Sequence, residues 1–104
     1  MAAISVSVTS SVERFLALVR RRYRVDAAYL YGSQVKGTAS EWSDIDLAIV
    51  SADFSTNTFA ERVTLLRLAM GVDDRLEPQP FRPEAFGQDS PLAGEILLTG
   101  RRVT

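Results

Sequence analysis

The sequence predicts an α/β (α+β) fold: a small mixed β-sheet with helices packed on one face. Three observations carry that prediction. Two short apolar runs of strand character, Val25 to Tyr31 and Asp44 to Val50, are flanked by longer segments whose apolar residues recur at helical spacing. Glycines at positions 32, 71 and 100 fall where those segments end. The 104 residues, 46% hydrophobic and 24% charged, have the make-up of one globular unit with a single core, so one domain is expected over residues 1–104.

Taken in order, Ser10 followed by Glu13 has the form of a capping box opening a first helix, with Val12, Phe15, Leu16 and Val19 as its apolar stripe. That helix is expected to fade in the arginine cluster. Val25 to Tyr31 is a first strand, stopped by Gly32. Gly32 to Trp42 is small and polar, a turn with one helical turn after Ser33. Asp44 to Val50 is the second strand, its alternation placing Asp44 and Asp46 on one face and Ile45, Leu47 and Ile49 on the buried one. After a polar loop, Thr58 or Asn57 caps a helix in which Phe59, Val63, Leu66 and Met70 form the stripe, with Gly71 at C′. Asp74 to Gln79 is a third strand stopped by Pro78 and Pro80. A proline-rich connection follows, pinned by Phe81 and Phe86. Leu92 to Leu98 is a short helix ended by Gly100, and Arg101 to Thr104 a terminal strand.

Composition removes whole classes of function. No apolar run approaches the ~20 residues a membrane-spanning helix needs. Met1-Ala2-Ala3-Ile4 has neither the basic lead nor the apolar core of a signal peptide. The absence of cysteine excludes disulfides and thiolate chemistry and fits a cytoplasmic setting. The absence of histidine removes Ser-His-Asp triads, histidine zinc sites and a histidine base, leaving acid–base and metal chemistry to carboxylates. A net charge of −1 argues against a protein built to grip duplex nucleic acid. Arg20, Arg21, Arg22 and Arg24 crowd together, either as a solvated helix C-terminus or as a contact surface for RNA or an acidic protein.

One constellation carries chemistry: Gly32-Ser33, ten intervening residues, then Asp44-Ile45-Asp46. An isolated Asp-x-Asp is more often a solvated strand edge. The ordered combination arises by chance in under ~1% of chains this long. A glycine turn offers backbone N–H groups and a serine hydroxyl to phosphate oxygens, and two carboxylates on one strand face can share hard metal ions. That combination suits nucleotidyl transfer, in which an acceptor attacks the α-phosphorus of a nucleoside triphosphate and pyrophosphate leaves. Lys36 is either a phosphate counter-charge or a surface lysine. A third carboxylate would complete the metal site or act as base, and Glu77, in the third strand, is preferred over Asp73 and Asp74. Trp42 is either a nucleobase platform or a lid on the core, and is not counted as a site residue.

These residues match a family. Gly-Ser-x10-Asp-x-Asp between two strands, here YGSQVKGTASEWSDIDLAIV, resembles the signature of the polymerase-β-like nucleotidyltransferases, and the wording looks like their minimal members, the MNT antitoxins paired with HEPN toxins. The strong part spans Tyr29 to Val50, with a looser likeness through the Glu77 strand to the C-terminal helix. The resemblance implies transfer of AMP from ATP with two divalent metals, Mg²⁺ or Mn²⁺ in its place. Gly32 and Ser33 would hold phosphates, Asp44 and Asp46 the metals, and Glu77 would be the third acid, commonly Asp in that family. It also implies a helical HEPN-type toxin as partner in a hetero-oligomer, with the acceptor supplied by that partner. Two alternatives stand beside this reading: an antitoxin that works by binding only, and a nucleotidyltransferase subunit for a small-molecule or RNA acceptor.

Overall fold

The computed structural model describes residues 4–87 and 89–104; Met1-Ala2-Ala3, at the start of the stretch inspected for a leader, lie outside them. The elements run α1 (Val6–Val19), β1 (Ala27–Tyr31), α2 (Ser33–Lys36), β2 (Ile45–Val50), α3 (Thr58–Met70), β3 (Leu76–Phe81), a 3-10 turn (Pro83–Ala85), α4 (Pro91–Thr99) and β4 (Arg101–Arg102). Among these residues no helix is long and apolar enough to cross a membrane.

The strands form one mixed sheet in the order β3-β2-β1-β4. β1 pairs antiparallel with both β2 and β4, whereas β3 runs parallel to β2 and is reached through α3. A parallel return needs such a crossover, and the helix then packs on the sheet face it has crossed. The core lies between that face and α1 with α3: Val8, Val12, Phe15, Leu16 and Val19 meet Leu30, Ile45, Leu47, Ile49, Leu65 and Leu76. Ala48 and Val50, pointing the other way along β2, are buried outside this cluster, as are Ala93 and Ile96 of α4.

Three local expectations need correction. α1 begins five residues earlier than the Ser10/Glu13 pair indicates: Ser5 is its N-cap and accepts the Val8 N–H at 3.2 Å. Ser10 is an exposed residue inside the helix. Val8 joins the buried stripe, and packing that extra turn outweighs a cap at Ser10.

The buried stripe of α3 is rotated from the expected one. Asn57 caps the helix, its side chain accepting the Ala60 N–H, but Phe59 and Met70 are 76% and 78% exposed while Leu65 and Ala69 are buried. The helix is apolar on most sides, so periodicity alone picks no face; the sheet does. Gly71 follows with φ −82, a right-handed cap.

β3 runs through both prolines to Phe81. Ile45 and Ser51 of the β2 side donate to the carbonyls of Arg75 and Phe81, so the odd-numbered residues of β3 turn their amides to β2. Pro78 and Pro80 lie in the opposite phase, with their nitrogens facing the free edge where no N–H is needed. Their rings, like Leu76, fall on the core face.

Candidate active site

Register places the candidate side chains. Tyr31 of β1 pairs with Asp46 of β2, and Asp46 with Glu77 of β3. Directly paired residues share a sheet face, so Tyr31, Asp46 and Glu77 form a row across three strands, opposite the face that α1 and α3 cover. Asp44, just before β2, joins them at the rim, exposed. These four, with Arg62 and Gln79, line a cleft of about 380 Å³.

Gly32 belongs to this site through space it leaves empty. Its backbone has φ 75 and ψ −147, close to a region that glycine alone populates. A Cβ there would lie 2.5 Å from Asp46 Oδ2. Glycine is therefore required twice over, for the turn and for the carboxylate beside it. The turn leads into the single helical turn of α2, where the amides of Val35 and Lys36 bond the Gly32 carbonyl. Ser33 is the first residue of α2 and half-buried, and Gly37 closes it with φ 78. Gln34 is buried, and its Nε2 donates to the Asp44 carbonyl at 3.2 Å, tying the turn at Gly32 and Ser33 to the Asp-x-Asp segment.

The electrostatics are those of crowded carboxylates. Burial first, then Asp44, then Glu77, push the Asp46 carboxyl above its ordinary value. The Tyr31 hydroxyl is pushed up to about 12 by burial and by Asp46, with Arg62 acting in the opposite direction and Glu77 adding to the rise. Such a cluster is short of positive charge. Part of the deficit is met from α3: Arg62 Nη2 donates to Glu77 Oε2 at 3.2 Å.

The sequence-predicted residues therefore separate. Asp44, Asp46 and Glu77 come together, with Gly32 against Asp46. Lys36 does not line the cleft; it is exposed and pairs with Glu95 of α4 at 3.5 Å. Asp73, a rival to Glu77, is committed elsewhere. It accepts from Ser11 Oγ at 2.6 Å and from Arg75 at 2.8 Å, which hold its carboxyl well below the usual range and join α1 to the start of β3. Asp74 is exposed. Trp42 is 82% exposed and is no lid on the core. Arg20, Arg21, Arg22 and Arg24 are exposed just beyond α1, as a solvated C-terminus and a contact surface both require.

Arg62 lies outside the motif stretch, and Tyr31 and Gln34 stand inside it at positions to which the Gly-Ser-x10-Asp-x-Asp spacing gives no role. Arg62 was detectable in principle: it stands three and seven residues before Leu65 and Ala69, so a charged residue sits in phase with the buried stripe of α3.

Asp44 and Asp46 fit a hard divalent cation: oxygen donors two residues apart in one cleft, with mutual repulsion that such an ion would relieve. Among the described residues no three acidic, histidine or cysteine side chains already converge as a metal-holding group. Glu77 is engaged with Arg62 instead.

A family model described as polymerase beta, nucleotidyltransferase, matches residues 13–101. No curated protein matches significantly. Among solved structures, a mutant of the toxin–antitoxin MntA–HpeT aligns with a TM-score of 0.63 at 24% identity, over 89% of this chain and 71% of that one. A toxin–antitoxin with AMP-PNP aligns with a TM-score of 0.63 at 24% identity, over 90% and 70%. A Sulfolobus solfataricus structure described as a nucleotidyltransferase aligns with a TM-score of 0.55 at 14% identity, over 99% and 88%. At these identities the structural likeness is one of fold.

Proposed function

The chain belongs to the polymerase β nucleotidyltransferase family, and from that premise we propose that it transfers AMP from ATP to a partner protein, as the antitoxin of a toxin–antitoxin pair whose toxin is a helical HEPN-type protein. The observation that carries this is the row of Asp46 and Glu77 on paired strands, with Asp44 at its rim and Gly32 leaving room for the Asp46 carboxylate. Structural neighbours described as toxin–antitoxin, one of them with AMP-PNP, support a toxin as the partner and an adenine nucleotide as the substrate.

In this reading Asp44 and Asp46, joined by Glu77 where Arg62 releases it, would hold Mg²⁺, which would supply neutralisation of charge on the phosphate oxygens. The turn at Gly32 and Ser33 receives the terminal phosphates through backbone N–H groups and the Ser33 hydroxyl. The partner's hydroxyl oxygen attacks the α-phosphorus, the bond to the β-phosphate oxygen breaks, and pyrophosphate leaves. Glu77 takes the hydroxyl proton. Gln34 acts at one remove, by fixing the backbone of Asp44.

The test is incubation of the protein with ATP, Mg²⁺ and the product of the neighbouring gene. Wild type should modify that partner and Asp46→Ala should not; no modification by either protein would sink the enzymatic claim. The engagement of Glu77 by Arg62 favours a second reading, neutralisation by binding alone. It predicts that Asp44→Ala and Asp46→Ala still protect cells from the toxin, whereas the enzymatic reading predicts that they do not.

A further inference from the structure

We propose that Arg62 is a built-in counter-ion that competes with the divalent cation for Glu77 and, once displaced, turns to the phosphates of the incoming nucleotide. The inference rests on the nucleotidyl-transfer reading and adds to it a residue that the motif does not contain.

Among the described residues Arg62 is the only cationic side chain lining the carboxylate cleft, which otherwise offers Asp44, Asp46, Glu77, Tyr31 and Gln79. A triphosphate entering this cleft meets three acids and one guanidinium. That guanidinium is held at one end only. Nη2 donates to Glu77 Oε2 at 3.2 Å, while Nε is buried without a hydrogen-bond partner. An orphaned buried N–H is unfavourable, so the arrangement satisfies Glu77 better than it satisfies Arg62. A second set of acceptors would complete it, and phosphate oxygens match the planar fork of a guanidinium.

The neighbourhood allows the exchange. The pair is half-exposed, at 41% and 39% for the two side chains, and so is weakly held and open to replacement by a doubly charged ion. Arg62 also borders the adjoining cleft formed with Phe59, Gln79, Phe81 and Leu92, so the released side chain has room to move along β3. Cation binding and nucleotide binding are thereby coupled. With the cation absent, Arg62 screens Glu77 from Asp46. With the cation present, the same charge becomes available to the substrate.

The experiment measures Mn²⁺ binding by the paramagnetic signal of the free ion, without nucleotide, and then AMP-PNP binding at saturating Mn²⁺ by calorimetry. Wild type, Arg62→Met and Arg62→Lys are compared. Arg62→Met should bind Mn²⁺ at least about threefold more tightly, because a competing positive charge is gone, and should bind AMP-PNP more weakly than wild type. Arg62→Lys keeps the charge and should stay near wild type for Mn²⁺. Equal Mn²⁺ affinity in all three proteins, or weaker binding by Arg62→Met, overturns the role of Arg62 while leaving the nucleotidyl-transfer reading intact. No Mn²⁺ binding by any of the three overturns both.

Discussion

Gly32→Ala is the sharpest perturbation of the site, because one methyl group acts on the turn and on the carboxylate together. Holding a non-glycine residue near φ 75, ψ −147 costs about 1–3 kcal/mol. The new Cβ would stand 2.5 Å from Asp46 Oδ2, closer than real contacts allow, so the carboxylate must rotate away. A side chain can yield, which keeps this second cost below that of a backbone clash, and about 2–4 kcal/mol in all is expected. With a urea dependence of about 2 kcal/mol per molar, the unfolding midpoint should fall by about 1–2 M, leaving a domain of ordinary stability folded. Gly37→Ala is the control. It has a positive φ of 78 at the other end of α2, hence the same type of backbone cost, and lines a different cleft, with Gln34 and Arg75. Urea denaturation and Mn²⁺ binding should be measured on both. Gly32→Ala should lose stability and cation affinity, and Gly37→Ala stability alone. If Gly32→Ala matched wild type in both assays, the contact between the turn and Asp46 would not be what shapes this site.

Other variants probe other parts of the account. Asp73→Asn should destabilise the protein by about 1–3 kcal/mol at pH 7, since it leaves a largely buried Arg75 without its carboxylate partner. Asp73 has a depressed folded value, so its contribution is complete above the ordinary 3.8 and is lost as pH falls below it; the gap between mutant and wild type should close in acid denaturation curves over that range. Asp46 has the opposite sign. Its folded value is raised, so ionising it opposes folding as pH climbs from 3.8 through that value, and metal-free Asp46→Asn should have a higher urea midpoint than wild type at pH 7 while binding Mn²⁺ less well. Replacing Pro78 and Pro80 together with threonine restores two N–H donors on the free edge of β3, and light scattering should then detect more self-association than in wild type; equal scattering would refute the edge-blocking role.

The sheet and its helices were legible because local signals and tertiary demands agreed there. Gly32 ends β1, Asn57 caps α3, and Gly100 follows α4, each at or next to the position the sequence indicates. Sequence and structure diverge where local signals are degenerate. Ser5, Ser7, Thr9 and Ser10 all have cap chemistry, and only the burial of Val8 selects Ser5. α3 carries Phe59, Val63, Leu65, Leu66, Leu68 and Met70, so its inward face follows from how the β2-α3-β3 crossover seats it. Pro78 and Pro80 argue against a strand only if it is central, and edge position is a property of the sheet.

The site divides in the same way. Asp44, Asp46 and Gly32 sit within a short, spaced motif, and Glu77 follows from having a strand to occupy. Arg62 and Tyr31 reach the cleft through register and crossover, which no spacing along the chain encodes. Lys36 lies near Gly32 in sequence yet turns to Glu95, because the single turn of α2 carries it toward α4.

The central claim is that this carboxylate row moves a nucleotidyl group onto a protein. It is tested most directly by supplying Mg²⁺ and the partner with ATP labelled at either the α- or the γ-phosphate. The account predicts that the partner becomes labelled from the α-position alone, that pyrophosphate appears in equal amount, and that Asp46→Ala abolishes both. Label arriving from the γ-phosphate, or equal labelling by wild type and Asp46→Ala, would contradict it.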